Sequence, residues 1–452
     1  MVFKSINPYT DKEIAQYEEH SKDEIHKILE NSSRAFSEWR SKPLSYRTNL
    51  LSKAGKVLKA NVDEYADCIT REMGKPITET RAEVEKCAWV CEYYAENAED
   101  FLQTKSIETD ADKSMVRYDP IGPVLAIMPW NFPFWQVFRF AAPTLTAGNT
   151  GLLKHASNVL GCAQKIEEVF LKAGFPEGVF QNIIVHHEKI ESILENSVVK
   201  AVTLTGSEKA GSSVAGLAGK NIKKSVLELG GSNAFIVWKD ADLEQALETA
   251  VNARMMNTGQ SCIAAKRFLI MEDIYDEFLS GFTERISKLK QGDPLDKTTK
   301  LGPLARKDLA DQLSKQVEES VQKGAKLTLG GGQNGCMYEA TVLENVKPGM
   351  PAFDEETFGP VAAFTKVKTI EEAFELSNHS KFGLGVSLFT QNTEKALGLA
   401  DRVEDGALFI NDLVKSDPRL PFGGTKYSGY GRELSKDGIM EFVNKKTVYV
   451  KK

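Results

Sequence analysis

The chain has 452 residues, with 57 Lys+Arg against 63 Asp+Glu and a formal net charge of −6. That length accommodates about three domains of roughly 150 residues, and a mildly acidic balance without a lysine-rich block gives no electrostatic basis for binding nucleic acid or an anionic membrane. Six cysteines are too few for a disulfide scaffold. No run approaches the roughly 20 apolar residues of a membrane span, and the opening MVFKSINPYT lacks the apolar core of a secretion signal. The expectation is a cytoplasmic protein with reduced thiols.

The first hundred residues read as polar and helical, with apolar residues at helical spacing over 22–40, 45–72 and 76–103 and a break at Gly74-Lys75-Pro76. Residues 104–123 read as strand and turn. From residue 124 short apolar runs (124–128, 151–154, 182–185, 201–205, 225–229 and 234–238) alternate with helix patterns at 135–147, 158–173, 189–196 and 207–219. After Gly230-Gly231 come helices at 242–255, 275–290, 306–323, 370–377 and 393–403, with strands at 267–271, 361–366, 386–389 and 407–410. Buried strands alternating with helices define parallel α/β sheets covered on both faces, here two α/β domains meeting near residue 231. The tail KKTVYVKK (445–452) alternates as a strand without a partner in its own half. Two fates are open to it: a frayed end or pairing with another subunit's sheet edge.

Four segments carry side chains suited to chemistry. Cys262, in NTGQSCIAAKR, sits on a small-residue loop before a strand. The other five cysteines are in helical or nondescript settings; Cys87 and Cys91, four apart on a helix, lack a second ligand pair and read as packing, and no metal site is expected. The six histidines show no ligand spacing, so a Cys262 nucleophile would need a base other than a Cys–His partner. LTGSEKAG (204–211) follows a strand and opens a helix; Gly206 and Gly211 permit close approach, and Ser207 with the helix N-terminus offers donors to a phosphate. In ELGGSN, Glu228 ends an apolar strand before two glycines, where desolvation would raise its pKa toward that of a general base. In MPWNFPFW, Pro129 and Pro133 stiffen a turn that presents the Asn131 amide, an uncharged donor suited to an oxyanion. Each segment also has a packing or capping explanation. Gly-rich loops at EETFGP (355–360) and PFGGTKYSGYGRE (421–433) complete the set; there Glu356 can accept from sugar hydroxyls and Phe358 can pack on a ring.

Together and in this order, PWNFP, LTGSEKAG, ELGG, NTGQSC, EETFGP and PFGGTKYSG resemble the aldehyde dehydrogenase superfamily over about residues 5 to 450. The resemblance implies a Rossmann-like cofactor domain (1–103 and 124–230), a catalytic domain (231–430) and a small β oligomerisation element (104–123 and 431–452) that makes a homodimer or homotetramer. It implies oxidation of an aldehyde to an acid with NAD(P): Cys262 attacks, Asn131 and the Cys262 N–H hold the oxyanion, and Glu228 activates water against the thioester. Glu433 matches a second carboxylate that relays protons. The implied cofactor contacts are Trp130, Lys154, Ser157, Gly206, Ser207, Gly211, Leu229, Glu356 and Phe358.

Departures from the family pattern sharpen this reading. Ser157 stands where NAD-preferring members carry a glutamate, removing the charge that would repel a 2′-phosphate, so NADP is expected to serve at least as well as NAD. Arg139 matches the arginine with which members that oxidise succinate semialdehyde hold the distal carboxylate, a task suited to a forked guanidinium; a plain salt-bridge role is the alternative. Ser416 resembles the accompanying serine, and Ser261 adjoins the nucleophile. Met256 replaces a second arginine found in some members, and Arg419 is an extra charge nearby. Trp135, Phe134, Phe138 and Phe422 are expected to make the rest of the tunnel apolar, which also suits an aliphatic or aromatic aldehyde. Ile263 and Ala264 follow Cys262, so the adjacent cysteine of redox-switched relatives is missing. The presence of Glu228 argues against an acyl-transferring branch, and the three reactive residues together argue against an inactive binding protein.

Overall fold

The computed structural model describes residues 1–452. Its first eighteen residues are not helical: Val2–Asn7 and Lys12–Glu18 form an antiparallel hairpin. The Asn7 side chain accepts from the N–H groups of Tyr9 and Thr10, which turns the chain locally. Both faces of this ribbon are largely exposed, so no apolar alternation announced it. Helix Lys22–Trp39 follows, opened by a Ser21–Glu24 capping box. The single helical span expected over 45–72 is two helices, Leu44–Ala60 and Val62–Met73, broken at Asn61, whose amide donates to the Val57 carbonyl. Helix Ile77–Leu102 then runs past helix Trp135–Ala147.

The first large sheet has the strand order Gly429–Tyr430, Lys224–Glu228, Ala201–Thr205, Pro123–Met128, Thr150–His155, Phe180–Asn182. Every pairing is parallel except the first. Along Pro123–Met128, Val124, Ala126 and Met128 enter the core under the helices of residues 44–173, while Leu125 enters the opposite core beside Leu152 and Val202. That two-sided burial is why these strands read as continuous apolar runs. The last strand lies at 180–182, earlier than the apolar run 182–185, because Glu19 and His20 take the backbone of Ile184 and His186 out of the ladder. Gly429–Tyr430 comes from the segment that sequence reasoning places at the end of the catalytic half, and this crossing lays the loop 421–424 over the end of the first sheet.

The second sheet has the order Lys326–Leu329, Thr341–Glu344, Val361–Val367, Ala265–Met271, Asn233–Val237, Val386–Phe389, Leu408–Ile410. Only the first pairing is antiparallel. Lys326–Leu329 is short, polar and mostly exposed, an edge strand with no pattern to reveal it. A third sheet, Val443–Val450, Lys113–Pro120, Lys105–Ser106, gives the tail a partner within its own chain, with Val443 opposite Pro120 and Val450 opposite Lys113. The outer edge of Val443–Val450 stays unpaired.

One buried ion pair fixes the N-terminal helices to the turn that carries Asn131. Lys75 Nζ meets Glu83 Oε2 at 2.5 Å with both side chains buried. Glu83 Oε1 accepts from the N–H groups of Phe134 (2.9 Å) and Trp135 (3.0 Å), at the start of helix Trp135–Ala147. Replacing Glu83 by Ala strands the ammonium and two amides, so we expect a loss of about 3–5 kcal/mol, read as a lower midpoint in urea unfolding followed by fluorescence.

Candidate active site

The turn after strand Pro123–Met128 is held from behind by His155. Its Nδ1 accepts from the Ala156 N–H at 2.9 Å, which puts the ring proton on Nε2 for donation to the Pro133 carbonyl at 2.9 Å. Burial pulls this histidine down to about 4, so it stays neutral in that role. Asn131 is buried on the turn. Its Oδ1 accepts from Gln136 Nε2 and its Nδ2 donates once, to the Gln260 carbonyl at 3.1 Å, leaving the second N–H for a ligand.

Cys262 follows a strained segment in which Asn257 (φ 53°) and Thr258 (φ 52°) adopt left-handed backbone. Such conformations cost about 1–3 kcal/mol each and persist only when the surroundings over-determine them. Here Glu79 accepts from the Asn257 N–H at 2.6 Å, the Asn257 amide donates to the Asn131 carbonyl at 2.8 Å, and Arg254 ties the carbonyls of Gly259 and Gly359 together. Lys266, fully buried one strand residue into Ala265–Met271, donates to the carbonyls of Ser261 (2.9 Å) and Cys262 (2.8 Å). Gly231 is required opposite: a Cβ there would lie 2.6 Å from the Cys262 carbonyl oxygen. Burial raises the Cys262 thiol to about 11, against the attraction of Lys266 and Arg139, which favours the thiolate.

Glu228 ends its strand buried, with neither carboxyl oxygen hydrogen-bonded. Burial, then the charge of Glu433, push it well above the ordinary carboxylate range, with Arg139 and Arg432 opposing. Gly423 closes over it, where a Cβ would come within 2.8 Å of Glu228 Oε1. Glu433 is ion-paired to Arg139 Nε, and burial raises its carboxyl despite that partner.

A cavity of about 190 Å³ leads to Cys262 and is lined by Phe132, Trp135, Met256, Ile263 and Phe422 with Glu79, Lys86, Gln136, Arg139, Ser261 and Ser416. Phe134 and Phe138, expected in this wall, are instead wholly buried against Tyr65 and Phe170, because the helix turns them toward the core. Phe132 takes their place. Arg419 is exposed and paired with Asp417, outside the cavity. Lys86, Glu79 and Lys266 were not singled out by sequence reasoning. Glu79, Glu83 and Lys86 share one face of helix Ile77–Leu102, a polar stripe at helical spacing that could have marked them.

A second group of the expected residues lies at or just beyond the ends of the first-sheet strands. Lys154, half-buried at the end of Thr150–His155, has no carboxylate partner, and burial lowers its pKa. Ser157 is exposed just beyond it. Ser207 caps helix Glu208–Lys220 by accepting from Ala210 N at 3.3 Å, and Gly206 precedes it, where a Cβ would make only ordinary contact with the Leu204 side chain at 3.5 Å. Gly211 serves packing, since a Cβ would strike Leu229, itself a core residue, at 2.6 Å. Glu356 accepts from Gly231 N–H at 3.0 Å and meets Lys266 at 3.2 Å, and Phe358 packs edge-on against Trp130.

A free Cys262 thiol in the tunnel wall, a spare Asn131 N–H tied to its loop and a partnerless Glu228 carboxyl that acts electrostatically on the thiol have the residue types that covalent aldehyde chemistry needs. The comparisons agree: the aldehyde dehydrogenase family model matches residues 1–448, and the chain belongs to that family. It is 49% identical, over the full length of both chains, to a probable succinate-semialdehyde dehydrogenase [NADP(+)] of Synechocystis. It is 47% identical to a succinate semialdehyde dehydrogenase [NAD(P)+] of Escherichia coli K12, over 98% of this chain and 97% of that one. The succinic semialdehyde dehydrogenase of Streptococcus pyogenes, solved with NADP+, superposes with a TM-score of 0.97 at 37% identity, covering 100% of both chains.

Because the thiol lies near 11, the thiolate fraction should grow with pH. Iodoacetamide labelling of Cys262, followed by peptide mass, is expected to accelerate about tenfold per unit between about pH 6 and 8, and Lys266→Met should slow it at every pH.

Proposed function

We propose that the protein oxidises succinate semialdehyde to succinate, using NADP and accepting NAD. The observation that carries the chemistry is Cys262 in the tunnel wall, with the Asn131 amide bonded to the Gln260 carbonyl two residues before it and a spare N–H left over, and with the unpaired Glu228 carboxyl close enough for its charge to act on the thiol. The names of the similar proteins and the two cations in the tunnel wall, Lys86 and Arg139, support the substrate.

In this mechanism the Cys262 thiolate, favoured by Lys266 and Arg139, adds to the aldehyde carbon. The oxyanion is received by Asn131 Nδ2–H and the Cys262 N–H. A bound nicotinamide supplies the acceptor for the hydride that leaves the thiohemiacetal. Glu228, whose raised pKa makes it a strong proton acceptor when ionised, takes a proton from water attacking the thioester, and Cys262 departs as thiolate with release of the acid. Lys154, without a counter-ion, and exposed Ser157 suit a cofactor ribose that carries a 2′-phosphate. Ser207 and Gly206 would receive the pyrophosphate, one Glu356 oxygen would accept from ribose hydroxyls, and Phe358 with Trp130 would offer ring surface to the nicotinamide end.

The first sheet with its helices serves the cofactor and the second sheet carries the nucleophile. The free edge of Val443–Val450 supports assembly into a homodimer or homotetramer through sheet extension. No helix is long and apolar enough to cross a membrane, and a nucleophile that must remain a free thiol suits the cytoplasm. A broad aliphatic or aromatic aldehyde dehydrogenase is the second reading, favoured by Trp135, Phe132 and Phe422 in the tunnel.

A panel of aldehydes of graded length, with and without a terminal carboxylate, run with both cofactors, tests the proposal. Succinate semialdehyde should give the highest kcat/KM, and a preference for NAD of about a hundredfold, roughly 2.7 kcal/mol, would overturn the cofactor reading. Glu228→Gln should lower steady-state turnover by about 10²–10⁴-fold while a first-turnover burst of reduced cofactor survives; loss of the burst as well would contradict a role confined to deacylation.

A further inference from the structure

Five of the six cysteines take no part in the chemistry derived above, and two of those five meet. Cys68, half-buried on helix Val62–Met73, and Cys162, wholly buried in the first turn of helix Leu160–Ala173, bring their sulfur atoms to 3.8 Å. Glu72, one turn after Cys68 on the same helix, docks the start of the other helix. Its Oε1 accepts from the Gly161 N–H at 2.9 Å and its Oε2 from the Cys162 N–H at 2.8 Å. The two thiols are therefore held in register by a carboxylate on one helix and two amides on the other. A disulfide is about 2.0 Å long, so the sulfurs must close by about 1.8 Å. In a close-packed interior side-chain rotation alone is resisted, and part of that closure is taken by the helix start moving against helix Val62–Met73.

Reactivity is divided between the two. Burial holds the Cys162 thiol protonated, well above its ordinary value, whereas Cys68 keeps part of its surface in water. A hydroperoxide accordingly meets Cys68 first. The Cys68 thiolate attacks the O–O bond, a sulfenic acid forms, and the other oxygen leaves as water or an alcohol. The Cys162 sulfur then attacks the Cys68 sulfur: the S–S bond forms, the S–O bond breaks, and the hydroxyl departs as water with the Cys162 proton. Two thiols have lost two electrons and two protons to the peroxide, and a thiol reductant reverses the step. The consequence reaches the cofactor segment, because Ser157 stands five residues before Cys162. Lys154 is fixed in the sheet ladder opposite Ile127, while Ser157 lies beyond the strand on the turn into the helix. A shift of the helix start thus changes the spacing of Ser157 from Lys154.

We propose that Cys68 and Cys162 form an oxidisable dithiol, closed to a disulfide by hydroperoxides, and that closure loosens the hold on the cofactor. The effect on the cofactor rests on the reading that Lys154 and Ser157 receive its 2′-phosphate. The pair is separate from the nucleophile: Cys262 lies on the loop before strand Ala265–Met271, in the other large sheet. A transient disulfide of this kind is compatible with a reducing compartment, where such bonds serve as sensors rather than as staples.

The test uses the full-length Cys262→Ser protein, so that neither oxidation of the nucleophile nor turnover enters the signal. Hydrogen peroxide followed by alkylation should yield a linked peptide containing Cys68 and Cys162, lighter by two hydrogens than its parts, and dithiothreitol should separate it. The Kd for NADPH, read from its fluorescence, should rise at least about fivefold on oxidation and recover with dithiothreitol. Adding Cys68→Ser, or separately Cys162→Ala, should leave that Kd unchanged by peroxide. Absence of the linked peptide, with Cys68 unmodified or carried on to the sulfinic acid, overturns the dithiol. A linked peptide with unaltered NADPH affinity, or an affinity that falls equally in the Cys68→Ser protein, overturns its control of the cofactor. Failure of the reduced protein to bind NADPH at all, while NADH binds, removes the 2′-phosphate reading and the control that rests on it, and the linked peptide then reports on the dithiol alone.

Discussion

The loop from Met256 to Cys262 holds two residues in left-handed backbone, and everything reactive in the protein depends on that loop being unable to relax. It is gripped by bonds that are not released cheaply: a buried ammonium on two of its carbonyls, a buried guanidinium on a third, a carboxylate accepting from the Asn257 N–H, and the Asn257 amide donating to the Asn131 carbonyl. Each donor is charged or desolvated, so releasing it exposes an unpaired polar group in a dry interior, which costs more than the strain it restrains. The same bonds tie the loop to Asn131 and to the 355–360 segment, so the positions of Cys262 and Asn131 are fixed together.

A second consequence of dryness is that every charge in the site is held at a cost. Burial raises the Cys262 thiol and the Glu228 carboxyl and lowers Lys266 and Lys86. The charged form of each is favoured further when a charge of opposite sign forms beside it, as a thiolate or an oxyanion does beside Lys266. Electrostatic stabilisation is thereby reserved for the occupied site, which is where it can lower a barrier.

Legibility in the sequence followed how strongly each element was patterned. Strands buried on both faces, such as Pro123–Met128 and Ala201–Thr205, and helices with one apolar face stood out because burial imposes a period on composition. The N-terminal hairpin and the edge strand Lys326–Leu329 did not, since an exposed ribbon imposes none. Phe134 and Phe138 were misassigned to the tunnel because an aromatic run does not say which way the helix beneath it faces; the helix sends Phe132, Trp135 and Arg139 to the cavity and those two rings to the core.

The sequence by itself determined the alternation of strands and helices and the family, and it singled out Cys262, Glu228 and Asn131 as candidates, because those residues stand in short local motifs with small neighbours that permit close backbone approach. Which cation of the tunnel wall has a counter-ion was decided only by tertiary structure. Arg139 and Lys86 are both positive in the sequence, and they differ because Arg139 pairs with the Glu433 carboxylate while Lys86 meets only the Ser416 hydroxyl, both partners lying hundreds of residues away. Charge is written in the chain, but counter-ions are assigned by the fold.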